Sequence, residues 1–288
     1  MDLKAKIILL TGATDGIGKA AARNFAMRGA SLIIVGRNRE KTERVLDELR
    51  SESGNTNLDM LQCDLSRLAD VRRAAEEFKS KYDRLDVLAN NAGATFRTPL
   101  LGPDGVEVTF ALNHLSHFQL TISLLDLIRN TPNARVVSTS SSMQARGTIR
   151  IPEMATSIDG SGPRAYAASK LANVLFVKAL QRRLDGTSAT ANCFEPGMVR
   201  TQFGGFGSDQ GFLLNLVYAL AKPFSITPEK GAESLVWLAT SPDAAYLKGQ
   251  YISKCCPATP SKQALDQQLA EELWQFSEDL CAKIATGN

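Results

Sequence analysis

Thr11-Gly12-Ala13-Thr14-Asp15-Gly16-Ile17-Gly18 is the stretch on which the fold turns. It follows an apolar, β-rich run, Lys6–Thr11, and opens an amphipathic stretch, Gly16–Gly29. Glycines such as Gly12, Gly16 and Gly18 let the backbone turn sharply from strand to helix and approach a pyrophosphate. The free N–H groups and positive dipole at the helix start then attract its charge. Any tight strand-to-helix turn selects glycine, so the spacing gains its meaning from its place in the first βα unit. There it predicts a dinucleotide site.

The rhythm continues outward from this loop. Short apolar runs at Ser31–Gly36, Leu58–Cys63, Leu85–Asn90 and Ala134–Ser140 alternate with helical stretches at Arg39–Ser51, Arg67–Tyr82, Asp104–Ile128 and Arg164–Leu184. Strands that are apolar on both faces belong to a parallel sheet covered on both sides. The expected class is therefore α/β, a doubly wound parallel sheet. Right-handed crossovers place all strand C-termini on one edge, where ligands bind. Beyond Leu184 follow a strand at Thr187–Glu195, a Pro196-Gly197 turn and an apolar helix near Gly211–Ala221. A helix at Pro228–Thr240, a strand at Gln250–Ser253 and a last amphipathic helix over about 261–284 complete the pattern. Without repeats or linkers, residues 1–288 read as one domain, with a core over about residues 5–255 and a C-terminal helical extension.

Composition agrees. Of 288 residues, 44% are hydrophobic and 22% charged, which excludes disorder, collagen and a disulfide scaffold. The net charge of +3 gives no ground for a nucleic-acid partner, so an anionic ligand has to be caught locally. The start, Met1-Asp2-Leu3-Lys4-Ala5-Lys6, carries no signal-like pattern, and no run has the length of a spanning helix; a cytoplasmic protein is expected, with membrane contact at most peripheral. Cys63, Cys193, Cys255, Cys256 and Cys281 lack metal-binding spacing and read as reduced thiols; no metal is expected.

Cofactor type is decided after the second strand. NAD selects a carboxylate there for its ribose hydroxyls, but the sequence has Val35-Gly36-Arg37-Asn38-Arg39. Arg37, with Arg39, Lys41 or Lys19 nearby, suits charge-assisted bonds to a 2′-phosphate, so NADP(H) is expected. Asp64-Leu65 is placed to accept from the adenine amino group and cover the ring. Asn90-Asn91-Ala92-Gly93 supplies small and amide groups where backbone and cofactor lie close. Each of these two is also compatible with an ordinary turn.

Ser140-Ser141-Ser142 ends the fifth strand, and Tyr166-Ala167-Ala168-Ser169-Lys170 follows on a helix. Tyr166 and Lys170 are four apart and share a helix face. A phenol with a pKa near 10 is a poor catalyst at neutral pH, but a neighbouring ammonium stabilises phenolate. Tyr166 can then donate a proton to a carbonyl oxygen or take one from an alcohol. Ser141 can hold that oxygen, and Lys170 can also bind the nicotinamide ribose.

The ordered set TGxxxGxG, NNAG, Ser, YxxxK and PG resembles the short-chain dehydrogenase/reductase family over about Ala5 to Thr201. The resemblance implies a Rossmann fold, with Ser141, Tyr166 and Lys170 as the catalytic triad. It also implies that Asn113, in Leu112-Asn113-His114-Leu115, helps hold a proton-relay water. Taking Ser141 over Ser140 rests on aligning the preceding strand. By the same resemblance Gly12, Thr14, Asp15, Ile17, Arg37, Asp64, Leu65, Asn91, Gly93, Lys170, Val199 and Thr201 stand at cofactor positions. Gly16, Gly18, Ala92, Tyr166, Pro196 and Gly197 complete those motifs.

Asn113-His114-Leu115-Ser116-His117-Phe118-Gln119-Leu120-Thr121 and the end segments Gly249–Ser253 and Leu273–Ser277 narrow the resemblance to a retinol dehydrogenase-like branch. Two features depart from it. Membrane anchoring is common in that branch and no anchor is seen here, and Glu195 stands where an apolar residue or His is usual. His114 and His117 read as structural helix residues. Two readings are open for Met143–Ala165, as a pocket border or a surface loop. Two are likewise open for the apolar stretch Phe203–Tyr218, as a substrate cover or a packed core or dimer helix. Homodimers or homotetramers are common in this family.

The expectation is an NADP(H)-dependent oxidoreductase moving a hydride between nicotinamide and a hydrophobic alcohol, aldehyde or ketone, with Tyr166 as acid and base. The alternative is a non-catalytic NADPH-binding regulator, which has no use for an intact Ser-Tyr-Lys set. A Rossmann-like methyltransferase leaves YxxxK unexplained.

Overall fold

β1 (Ile7–Thr11) is buried from Ile8 onward, and its side chains alternate between two cores: Ile8 and Leu10 join one, Leu9 the other. A strand apolar on both faces needs cover on both, and it has it. The computed structural model describes residues 2–157, 160–197 and 226–287. The other strands are β2 (Ser31–Gly36), β3 (Leu58–Gln62), β4 (Val87–Asn90), β5 (Arg135–Thr139), β6 (Thr190–Glu195), β7 (Tyr251–Ser253) and β8 (Cys256–Pro257). They form one sheet in the order β3-β2-β1-β4-β5-β6-β7-β8, parallel except for the last pair. β1 pairs with both β2 and β4, so the chain winds outward to β3 and then crosses back over β1. That reversal opens a crevice at the C-terminal ends of β1 and β4.

One face of the sheet is covered by α1 (Gly16–Met27), α2 (Arg39–Ser53) and the helix Pro228–Thr240. The other carries α3 (Leu68–Lys81), the helical turns α4 (Val108–Phe110), α5 (Ser116–Ser123) and α6 (Leu125–Asn130), and the long helix α7 (Gly162–Arg183). Pro228–Thr240 is then α8, and Gln267–Thr286 is α9. Two of the helix starts show the caps their sequences dictate: Asn38 accepts from Lys41 N–H (2.8 Å) and Asp266 from Leu269 N–H (3.0 Å). α9 lies on α7. Trp274 packs 4.8 Å from Phe118 and takes the Arg183 guanidinium at 3.9 Å over its ring, while Glu271 pairs with Arg182 and Arg183.

The predicted helix Asp104–Ile128 is broken in the structure. The Asp104 carboxylate is used elsewhere, accepting from Leu68 N–H (2.7 Å) at the start of α3, and Glu107 caps the turn that begins at Val108. A π-helical turn, Ala111–Leu115, then separates α4 from α5. β6 starts at Thr190, three residues later than predicted, because Thr187 closes a turn by accepting from Ala189 N–H. α9 starts at Gln267 after a short 3₁₀ turn, Gln263–Leu265. The predicted helix Gly211–Ala221 lies outside the described residues. Among the described residues no helix is long and apolar enough to cross a membrane.

Candidate active site

The ends of β1 and β4 are laced together at the crevice. Thr11 Oγ1 accepts from the N–H groups of Asn91 and Ala92 (both 2.9 Å), and Asn91 Nδ2 donates to the carbonyls of Thr11 (3.1 Å) and Gly12 (3.3 Å). The close approach demands glycine. Gly12 has φ +68°, and a Cβ there would lie 2.7 Å from Ala92 Cα; a Cβ on Gly18 would lie 2.0 Å from the Gly12 carbonyl oxygen. Asp15 caps α1 by accepting from Gly16 N–H (2.8 Å), Ile17 is buried beneath the loop, and Thr14 is half-buried at its rim. A glycine loop that opens a helix at the sheet's switch point fits a dinucleotide pyrophosphate.

Arg37 follows β2 on the exposed rim. The other basic residues gathered there by the sequence meet carboxylates: Lys19 with Glu48, Arg39 with Glu43 (2.8 Å) and Lys41 with Asp15 (3.5 Å). After β3, Asp64 is half-buried and accepts from Ser66 N–H (3.0 Å) and its hydroxyl (2.7 Å), and Leu65 is buried.

β5 and α7 bring the proposed catalytic groups to the same edge. Lys170 is 1% exposed, its Nζ donates to the Thr139 carbonyl (3.1 Å), and it sits 5.5 Å from the centroid of the Tyr166 ring. Burial pulls its amine down to about 7. Ser140 is buried and donates to the Lys170 carbonyl (2.8 Å), so its hydroxyl serves to dock α7 on β5. Ser141, the next residue, is half-buried; its Oγ accepts from Met143 N–H (3.2 Å), and among the described residues its own O–H donates to no acceptor.

Asn113 falls in the π-helical turn. Its Oδ1 accepts from Ala94 N–H (2.8 Å), and its Nδ2 donates to the Ala94 carbonyl (2.9 Å) and to Ser169 Oγ (3.0 Å). The side chain thus clamps the loop after β4 to α7. Gly93 sits in that clamp: a Cβ there would stand 3.1 Å from Asn113 Oδ1 and 3.2 Å from Lys170 Nζ. Pro196 and Gly197 end β6 at the same edge, with Gly197 at φ +81°. Val199, Thr201 and the apolar stretch Phe203–Tyr218 lie outside the described residues.

Sequence reasoning missed several groups that hold this geometry. Thr11 and Thr139 read only as strand ends. Ser169 and Asn173 are polar interruptions in the run Ser169-Lys170-Leu171-Ala172-Asn173-Val174, a detectable signal on a helix that is otherwise buried. Glu195, read as a departure, accepts from Ser253 Oγ (2.5 Å) and from Gly197 N–H (3.2 Å), tying the Pro196-Gly197 turn to β7.

Comparison with known proteins gives the family. The family model for short chain dehydrogenases matches residues 6–209. Human retinol dehydrogenase 14 is 34% identical over 96% of this chain and 86% of its own length. An uncharacterised protein from Mycobacterium paratuberculosis superposes with a TM-score of 0.77 at 29% identity, covering 98% of this chain and 95% of that one. A short chain dehydrogenase from Shigella flexneri, solved in complex with NADP, gives 0.70 at 26% identity, covering 88% and 98%. The chain belongs to the short chain dehydrogenase family, on its retinol dehydrogenase-like side, and is an oxidoreductase.

Proposed function

We propose that this protein is an NADP(H)-dependent carbonyl reductase and alcohol dehydrogenase for hydrophobic substrates, with Tyr166 as its acid and base. The observation that carries the reading is the buried Lys170 amine, fixed by the Thr139 carbonyl at 3.1 Å and held 5.5 Å from the Tyr166 ring.

Gly12, Gly16 and Gly18 would hold the pyrophosphate, and Arg37 the 2′-phosphate; bound there, NADPH supplies the hydride. Tyr166 gives its phenolic proton to the substrate oxygen as charge develops on it. The Lys170 ammonium lowers the cost of the phenolate left behind, and burial strengthens that pairing. The Ser141 hydroxyl steadies the same oxygen by a hydrogen bond. In the oxidative direction Tyr166 takes the proton of the alcohol. Two further points support the choice of ligands. The Shigella relative was solved with NADP, and retinol, named in the human relative, is an apolar primary alcohol.

The test is to follow loss of NADPH absorbance with a panel of apolar aldehydes and ketones. Turnover that prefers NADPH over NADH and rises with substrate hydrophobicity supports the reading. No turnover across the panel, with NADPH bound, overturns it in favour of a nucleotide-binding regulator.

A further inference from the structure

Asn173 lies one turn beyond Lys170 on α7 and is fully buried, and its amide is fully engaged. Nδ2 donates to the Asn113 carbonyl (2.8 Å) and to the Thr139 carbonyl (3.1 Å), and lies 3.4 Å from His117 Nδ1. Oδ1 lies 3.2 Å from His114 Nδ1. The Thr139 carbonyl is the same acceptor that takes the Lys170 amine. On the far side His114 Nε2 lies 3.1 Å from Ser277 Oγ on α9, and His117 Nε2 lies 2.8 Å from the Ala92 carbonyl. A buried hydrogen-bond path therefore runs unbroken from α9 to the Lys170 amine.

Counting protons assigns the tautomers. The Asn173 NH₂ faces two carbonyls, so its oxygen faces His114. His114 must donate from Nδ1 and accept at Nε2. His117 must donate from Nε2 to the Ala92 carbonyl, which leaves its Nδ1 unprotonated beside an Asn173 NH₂ whose two protons go to the carbonyls. Ser277 Oγ also lies 2.8 Å from the Leu273 carbonyl, so its one proton is shared between that oxygen and His114. Burial keeps both imidazoles neutral, with pKa values near 4 for His114 and near 3 for His117. The Asn173 oxygen thus fixes the tautomer of His114 and the Ala92 carbonyl that of His117, and the two rings stand in opposite tautomers. A core of the same shape can be built from apolar side chains without the cost of burying polar groups, so a polar network of this extent beside Lys170 points to specificity of placement.

We propose that Asn173 is a positioning residue for the Tyr166–Lys170 pair: it fixes the Asn113 and Thr139 carbonyls and, through His114 and Ser277, couples α9 to the place of the Lys170 amine. The inference rests on the catalytic reading of that pair given above.

The protein has two histidines in all, so its ¹⁵N imidazole spectrum contains two ring systems. The spectrum of the full chain is expected to show one ring protonated at Nδ1 and the other at Nε2. Two rings of the same tautomer, or a charged ring at neutral pH, overturn the network whatever the activity. Asn173→Ala is expected to collapse this pattern and to lower kcat about 10- to 100-fold, as misplacement near 1 Å does, with NADPH affinity nearly unchanged. Asn173→Asp keeps the acceptor for His114 but not the donor for the carbonyls, and is expected to lose kcat while His114 keeps its tautomer. A purely structural role lowers yield and Tm but leaves kcat per folded molecule at the wild-type value, and that result overturns the positioning role. Should neither Asn173 variant fold, Ser277→Ala tests the distal end: an altered His114 signal with reduced kcat supports the coupling, and unchanged kcat overturns it. A wild-type enzyme without turnover overturns the catalytic reading and the positioning role with it, and the tautomer spectrum tells that failure apart from failure of the network.

Discussion

Lys170 Nζ stands 5.5 Å from the centroid of the Tyr166 ring while its one hydrogen bond among the described residues, 3.1 Å long, goes to the carbonyl of Thr139 at the end of β5. A neutral carbonyl is a weak counter-group for a buried ammonium, which is why burial governs this amine and brings it to about 7.

A stability test follows from that burial. The Lys170 pKa is lowered on folding, so between about 7 and the ordinary value of 10.5 the unfolded chain binds more protons and this group's contribution to stability rises with pH. Below about 7 the buried charge is a full cost. Lys170→Met should abolish most turnover yet raise stability of the nucleotide-free protein in mild acid by on the order of 1 kcal/mol. The gain should shrink as pH climbs past 7. Thermal melts across pH check this; a Tm loss in mild acid contradicts it.

Arg37→Asp should weaken NADPH roughly 10- to 100-fold, the range for losing a hydrogen bond to a charged group, and change NADH much less. Binding titrations with both nucleotides check it, and equal effects on the two overturn the cofactor assignment.

Gly12→Ala places a methyl 2.7 Å from Ala92 Cα on a backbone with φ +68°. Overpacking together with the positive φ should cost about 1–3 kcal/mol. NADPH affinity should fall as well, because the same shift moves the glycine loop. Denaturant unfolding and nucleotide binding on the same sample check both effects.

Asp86 is 2% exposed and takes Lys6, Arg84 and the N–H of Ile7, at the entry to β4. Burial pushes its carboxyl up, but the bonds from Arg84, Ile7 and Lys6 together hold it below the ordinary 3.8. Its contribution is therefore present above about that value and lost as pH falls through the lower, folded one. Asp86→Ala should cost about 1–3 kcal/mol, since it removes the acceptor of the Ile7 N–H and of two cations that water can rehydrate, and leave kcat per folded molecule unchanged. Denaturant titration and a specific-activity measurement check it.

The sheet was legible because β1, β2, β4 and β5 are short apolar runs separated by helical periodicity, a pattern with one common solution. The glycine loop and the Tyr166–Lys170 spacing were legible because they are local. What failed was non-local. Asp104 and Glu107 look like helix residues until Asp104 is seen capping α3 across the fold. Asn113 reads as one polar residue in a helix, and nothing nearby in sequence indicates that its amide clamps Ala94 or that Asn173 holds its carbonyl. Ser140 and Ser141 differ only in which one β5 turns toward α7, a matter of register that adjacent serines leave open.

The most direct measurement compares wild type with Tyr166→Phe under saturating NADPH and an apolar aldehyde, recording nucleotide binding by fluorescence and turnover by absorbance. Loss of one phenolic oxygen should remove nearly all turnover while NADPH still binds. Turnover at the wild-type rate in the phenylalanine variant would contradict the assignment of Tyr166 as the proton donor.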